Sequence, residues 1–341
     1  MRRPKDRDFL ETIEGLIFCV VGYLHPPDRY TAYLKYLPAE AGKWQRGGTF
    51  YRRSLPYYHV RSVQETLAFL EAHYPHYVSS DPAQSLTFSF VPHDRVRQYF
   101  APAERLSELL TDPSDPLEKE VCELVAILTQ ASGLFPQALG ITGSILIGLH
   151  NPTFSDIDLT VYGRAQALAL RSALERLKGT WFQELDQGRR RQWRTETAVR
   201  FGLAPEDVAY LDTRRWNYFL FRGRYVSVHP TREDGEILEG YGDRRYEGRG
   251  AATVEATVVE TSEALFLPAI YRVGEVRVIE GAASDVETLV SFEGLYCDVA
   301  DPGDRILARG QVETTSGVAA RLVVGAASLP EGGFVKVTRK H

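Results

Sequence analysis

Apolar and polar positions divide the chain into three stretches of different texture. Gly15 to Leu24 and Tyr30 to Leu37 are rich in β-branched and aromatic residues, the composition of strands. Between them stands His25-Pro26-Pro27-Asp28, where two prolines cannot donate to a strand ladder and force a turn. This predicts a connected strand pair. Ser62 followed by Glu65 has the form of a capping box and opens a helix with Val63, Leu67 and Leu70 on one face, ending before Pro75. Gln84 to Val91 alternates through Leu86, Phe88 and Phe90, as a strand with one buried face requires. A helical stretch is expected next, from Asp94 to Leu110.

Thr111-Asp112-Pro113-Ser114-Asp115-Pro116 reads as a linker that ends in a helix start, with Asp115 as N-cap and Pro116 in the first helical position. Leu117, Val121, Leu124, Val125 and Leu128 form one helical stripe, and Gly133 is placed to end it. A short strand around Ala138 to Ile141, a Gly-Ser turn, a second strand from Asp156 to Tyr162 and a helix carrying Leu168, Leu170, Leu174 and Leu177 follow. From Gly235 onward the pattern becomes short β-like segments: Thr253 to Glu260, Ala264 to Arg272, Glu275 to Ile279, Glu287 to Phe292, Arg305 to Val312, Ala320 to Val324 and Phe334 to Thr338. Their spacing predicts a small antiparallel barrel or sandwich. At 341 residues the chain exceeds what one core usually serves. The expected fold is α/β in the broad, α+β sense. It has an N-terminal α/β domain over 1–112, a central mixed sheet with flanking helices over 113–234, and a C-terminal β domain over 235–341.

Composition narrows the function classes. Apolar residues make up 44% and charged residues 25%, ordinary values for a chain that can bury real cores. The longest apolar run, Leu16 to Leu24, is far shorter than the roughly 20 residues of a membrane-spanning helix, so no membrane partner is expected. The start, Met1 to Gly15, has no continuous apolar core or small-residue cleavage site, which argues against a secretory signal and points to the cytoplasm. Cys19, Cys122 and Cys297 form no C-x-x-C pair and read as small buried hydrophobes. Net charge is -5, so a phosphate-bearing partner must be met by a local patch. From Arg232 to the end, acids outnumber bases 19 to 12, which opposes phosphate binding there unless one face is segregated.

The chemistry concentrates between Gly140 and Leu159. Asp156 and Asp158 at i and i+2 of a strand share one face, roughly 6.5 to 7 Å apart at Cα. With carboxylates about 4 Å apart, their repulsion is on the order of 4 kcal/mol at an effective dielectric of 20. A cation belongs between them, and hard oxygen ligands on a strand suit Mg²⁺. Gly143 lets backbone approach a phosphate, Ser144 adds a hydroxyl donor, and the amides opening the next helix favour negative charge. Phosphate on one side and metal on the other is the machinery of phosphoryl or nucleotidyl transfer.

These residues resemble the DNA polymerase beta-like nucleotidyltransferase superfamily, whose mark is a Gly-Ser turn, about ten intervening residues, and an Asp-x-Asp strand. Here the marks are Gly143-Ser144 and Ser155-Asp156-Ile157-Asp158-Leu159. More distantly, the whole layout looks like a group of predicted nucleotidyltransferases common in archaea. The resemblance covers residues 115 to 232. It implies transfer of a nucleoside monophosphate from a nucleoside triphosphate, two Mg²⁺ ions and release of pyrophosphate, with Asp156 and Asp158 as catalytic metal ligands. Gly143, Ser144 and Ser155 would lie at the nucleotide. The superfamily carries a third carboxylate on a later strand; the matching stretch is Tyr225-Val226-Ser227-Val228-His229-Pro230, so Ser227 stands where the acid is expected. His229 shares its face only if the strand is regular, and Glu184, Asp186, Glu233 or Asp234 could substitute from a loop.

Two basic and aromatic clusters could meet phosphates. Arg189, Arg190, Arg191 and Arg194 surround Trp193, followed by Arg200, Arg214, Arg215 and Trp216. Guanidinium forks suit a triphosphate, and indoles can stack on a base; Arg189 and Arg190 are the expected nucleotide contacts, against a reading as a solvated helix face. The second cluster is Lys43, Trp44, Arg46, Phe50, Tyr51, Arg52 and Arg53, which could grip single-stranded RNA or be a hairpin with charged edges. His150 could touch substrate or cap a loop. The favoured activity is nucleotidyl transfer to an RNA end; the alternative is a nucleotide- or RNA-binding protein on a degenerate scaffold.

Overall fold

The computed structural model describes residues 3–54, 60–81, 83, 86–281, 285–315, 319–325, 329 and 332–339. Phe9–Thr12 (β1) and Ile17–Val20 (β2) form a buried antiparallel hairpin, and Arg29–Ala39 (β3) pairs with β2, Cys19 facing Tyr33. The expected strand pair is thus present, flanked by a strand that its acidic neighbours disguised: Glu11 of β1 is buried because Arg46 pairs with it. Trp44–Arg46 (β4) and Thr49–Arg53 (β5) make a second hairpin, with β5 lying along β3.

Helix Val60–His73 (α1) starts two residues ahead of Ser62, which therefore lies within it and not at its cap; the side chains of 60–64 lie outside the described residues. Val78–Asp81 (β6) pairs with the first half of Leu86–Pro92 (β7), and the second half of β7 pairs with Arg29 to Thr31. Gln84 and Ser85, where this strand was expected to begin, lie outside the described residues. The helix expected over 94–110 is shorter. Val96–Phe100 (β8) is a strand along β1, and Pro102–Thr111 (α2) is the helix. Val96, Tyr99 and Phe100 favour the pleated form, and Pro102 begins a new helix because its missing N–H costs nothing at that position.

Pro116–Ser132 (α3) follows its local signals closely. Asp115 caps it by accepting from the Glu118 amide at 2.9 Å, and Gly133 closes it at φ 72°. Next come Leu139–Thr142 (β9), Gly143–Leu146 (α4), Ile157–Tyr162 (β10), Arg164–Leu177 (α5), Phe182–Gln183 (β11), Gln187–Phe201 (α6), Pro205–Thr213 (α7), Tyr218–Phe221 (β12) and Arg224–Thr231 (β13). Five of these strands form a mixed sheet in the order β11-β12-β13-β10-β9. Ile157, Leu159 and Val161 are fully buried on its core face.

The C-terminal strands are Tyr246–Glu263 (β14), Ala269–Gly281 (β15), Val286–Ser291 (β16), Arg305–Thr315 (β17), Ala319–Val324 (β18) and Phe334–Arg339 (β19). β14 pairs with both β15 and β17, β15 with β16, β16 with β18 and β18 with β17, so five strands close a ring while β19 extends along β17. All pairings are antiparallel except β16 with β18. Two expected strands, 264–272 and 275–279, are one: β15 absorbs a left-handed Glu275 through register shifts against β14. Val254, Ala256, Tyr271, Leu289, Ile306 and Leu322 fill this core together with Val208 and Leu211 of α7.

The described residues of segments 1–54, 90–186 and 215–238 form one compact unit, and those of 55–89, 187–214 and 239–341 form another. This grouping does not follow the consecutive segments 1–112, 113–234 and 235–341. The N-terminal strands share a unit with the five-stranded sheet, while α6 and α7 pack on the C-terminal barrel. No helix among the described residues is long and apolar enough to cross a membrane.

Candidate active site

Strand register builds the site. β9 runs antiparallel to β10, β13 parallel to it, and β12 antiparallel to β13, so Thr142, Asp158, Ser227 and Tyr218 form one row across four strands. Burial of Ile157 and Leu159 on one face of β10 sends Asp158 to the other. At the end of β9 the chain turns through Gly143 at φ 68° into α4, whose Ile145 and Leu146 are buried anchors. The helix expected after this turn is a single turn, Gly143–Leu146. A macrodipole needs several aligned peptides, so a phosphate at this turn would be met by Gly143 and by Ser144, whose half-buried hydroxyl has no partner among the described residues.

Asp158 is wedged against the turn: a Cβ on Gly143 would lie 2.3 Å from Asp158 Oδ2. Its other oxygen accepts from Ser227 Oγ at 2.5 Å, and Ser227 Oγ lies 2.9 Å from His229 Nε2. Because the serine proton goes to the carboxylate, His229 donates from Nε2, which fixes its tautomer. Burial, with Arg7 and Lys35 nearby, holds the His229 pKa well below the ordinary 6.5, so the ring is neutral at pH 7. The strand is therefore regular enough to bring Ser227 and His229 to one face, and Tyr218 packs edge-on to the ring at 6.5 Å.

Asp156 stands one residue before β10, its side chain open to solvent on one side. Loss of water on the other side, then the charge of Asp158, raises its carboxyl to about 6, against the pull of Arg53, Arg224 and Lys43. Two carboxylates that resist being charged together could hold a hard divalent cation. Asp156 is protonated below its pKa, and an ion must displace that proton. Mn²⁺ affinity is therefore expected to rise by up to about tenfold per pH unit from pH 4 to 6 and to level off above. A flat calorimetric titration series across that window would remove Asp156 from the ligand set.

The loop that delivers Asp156 is held from behind. The Asn151 amide donates to Ser155 Oγ at 2.9 Å, and Ser155 is buried. Its oxygen thus braces the turn. Arg224 donates to the Ser155 carbonyl at 2.6 Å, to the Pro152 carbonyl at 2.9 Å and to Glu120 at 2.9 Å. Arg224, Arg53 and Lys43 join the site from strands distant in sequence. Only the last two carried an advance signal, as a basic cluster read as a grip for single-stranded RNA or a hairpin with charged edges.

The other candidates have definite places. Glu184 pairs with Lys178 at 2.5 Å, Asp234 pairs with Lys5, Glu233 takes part in a reciprocal cap with Glu236, and Asp186 is exposed. Arg190 and Arg194 of α6 both pair with Asp212 of α7, at 3.3 and 2.7 Å, and Arg189 is exposed on the same helix. Arg190 thus has a carboxylate partner inside the second unit. His150 Nε2 lies 2.7 Å from Asp115 Oδ2, and with Glu118 these ligand atoms fall within 4.8 Å of one another. Glu118 is already bound by Arg105 at 2.5 Å and by the Ser114 amide and hydroxyl at 2.7 and 2.6 Å, so the group closes the α3 N-terminus.

The chain is 28% identical over 344 residues to the uncharacterized protein MJ1086 of Methanocaldococcus jannaschii, a match that spans 98% of each chain. No family model matches the chain. No solved structure matches it.

Proposed function

We propose that the chain is a metal-dependent nucleotidyltransferase of the cytoplasm that moves a nucleoside monophosphate from a nucleoside triphosphate to an acceptor, an RNA end being favoured. The observation that carries this reading is the seat of Asp158 against the Gly143 backbone, with Asp156 two residues before it in the chain. Asp156 and Asp158 would hold Mg²⁺, which when bound supplies charge neutralisation at the phosphate oxygens. With an uncharged Ser227 in the third position, the donor set suits one ion better than two. Gly143 leaves room for a phosphate, Ser144 offers it a hydrogen bond, and Ser227 holds Asp158 in one orientation. In the reaction the acceptor hydroxyl would give up its proton to solvent as its oxygen bonds to the α-phosphorus, and the bridge to the β-phosphate would break, its electron pair leaving with pyrophosphate.

A second reading, a nucleotide- or RNA-binding protein without catalysis, is favoured by the Asp158–Ser227–His229 chain, which spends one carboxylate oxygen on a hydrogen bond and offers no third acid. Incubation with each labelled nucleoside triphosphate, Mg²⁺ and a pool of RNA separates the two. The transferase is expected to incorporate label and release pyrophosphate, and the variant Asp156→Ala with Asp158→Ala to lose at least about 100-fold of that rate. Binding without pyrophosphate release supports the second reading, and neither outcome retires both.

A further inference from the structure

We propose that the β4–β5 hairpin is the polyphosphate grip of this site, with Lys43 and Arg53 taking the β- and γ-phosphates of the triphosphate. The inference rests on the phosphoryl-transfer reading above and adds the residues that would recognise the leaving group.

Placement comes first. Lys43 Nζ lies 4.2 Å from the ring centre of Phe154, two residues before Asp156, so the ammonium sits on the loop that delivers that carboxylate. Arg46 of the same hairpin donates to the Ile147 carbonyl at 3.0 Å, the residue that follows α4, and pairs with Glu11 of β1. The hairpin is thus tied to both segments that build the site: the Gly143-Ser144 turn and the approach to Asp156. Trp44 then organises the two cations, its ring 5.6 Å from Lys43 Nζ and 5.0 Å from Arg53. An indole face orders cations without neutralising them as a carboxylate would. Lys43 and Arg53 are both exposed, and Lys43 has no carboxylate partner among the described residues.

Charge then names the ligand. Lys43 stands over Phe154 on the approach to Asp156, Trp44 ties Arg53 to Lys43, and Arg224 holds the Ser155 and Pro152 carbonyls of the same loop. Arg224 is committed to Glu120 and two carbonyls. One divalent ion balances Asp156 and Asp158, so Lys43 adds positive charge beyond that balance in a chain of net charge -5. Such a surplus at an ion site fits a polyanion that arrives with the ion. A guanidinium fork and a mobile ammonium are the pair that grips adjacent phosphates. A single-stranded RNA backbone, the other use of a basic aromatic hairpin, would not require the cations to converge on the carboxylate loop.

Calorimetry on the full chain tests this with three probes: Mn²⁺, adenosine monophosphate with Mg²⁺, and a nonhydrolysable adenosine triphosphate analogue with Mg²⁺. Lys43→Gln with Arg53→Gln is expected to weaken the analogue by about 10- to 100-fold and the monophosphate by less than about threefold, with Mn²⁺ affinity held or slightly increased. Lys43→Arg with Arg53→Lys is expected to keep most of the analogue affinity. Unchanged analogue binding in the glutamine variant, with Mn²⁺ bound normally, overturns the grip and leaves the ion site standing. Loss of RNA binding alone in that variant overturns it as well. If the unaltered chain binds neither Mn²⁺ nor the analogue, the phosphoryl-transfer reading itself falls.

Discussion

Asp156→Asn combined with Asp158→Asn is expected to abolish divalent-ion binding, a loss of about 100-fold or more, while raising the melting temperature. The two effects share one cause. Folding strips water from one side of Asp156, sets Asp158 beside it, and raises its carboxyl from 3.8 to about 6. Its pKa is thus higher in the folded state than in the unfolded one. Ionisation of Asp156 therefore costs stability as pH rises through that window, and the cost is fully present at pH 7. The open side of Asp156 screens much of it, so removal should return about 1 kcal/mol, or about 2–4 °C in a unit of this size. Asparagine is isosteric, and its side-chain oxygen can still accept from Ser227, so the Asp158–Ser227–His229 chain survives the change. An anionic ligand pair lost to ion binding and gained in heat resistance is the signature of groups kept for function. Differential scanning calorimetry together with Mn²⁺ titration decides: a fall in melting temperature with ion binding intact would make the pair a structural feature of β10.

How much of this was legible in the sequence depends on how local the determinants are. α3 could be read almost residue by residue, because Asp115, Pro116, the apolar stripe and Gly133 act within the helix and its two caps. β10 was equally readable, since Ile157, Leu159 and Val161 alternate with Asp158 and Thr160. Segment 96–100 could not be decided by itself: it becomes a strand because β1 offers it a ladder, and β1 hides its burial behind Glu11. Barrel closure was similarly hidden, because the pairing of β14 with β17 joins residues some 60 positions apart.

The site divides the same way. Gly143, Ser144, Asp156 and Asp158 announce themselves by spacing, and Ser227 and His229 by their match to a strand. Arg224 gives no such signal, because its role is to hold two carbonyls of a loop about 70 positions earlier. Lys43 and Arg53 were visible as a charged hairpin, but only the fold brings that hairpin to the Asp156 loop. Arg190 had the composition of a phosphate contact, and only the fold brings Asp212 of α7 to it.

Gly143→Ala is expected to be the most damaging single-residue change at the site, and a neighbouring glycine separates its two causes. Both Gly143 and Gly148 are left-handed, at φ 68° and 64°. Any L-residue there costs roughly 1–2 kcal/mol of backbone strain. At Gly148 a Cβ would meet nothing nearer than Arg46 Cδ at 3.8 Å, so Gly148→Ala should cost that strain alone. At Gly143 the new Cβ would fall 2.3 Å from Asp158 Oδ2, and the carboxylate must move. Overpacking of this kind adds about 1–3 kcal/mol, and the displaced Asp158 leaves the Ser227 hydroxyl without its acceptor. Gly143→Ala should therefore lower the melting temperature further than Gly148→Ala and weaken Mn²⁺ by about tenfold or more, whereas Gly148→Ala leaves Mn²⁺ affinity within about twofold. Equal destabilisation by the two alanines, with ion affinity intact in both, would show that Asp158 does not sit on the glycine turn, and the phosphate and metal halves of the site would come apart.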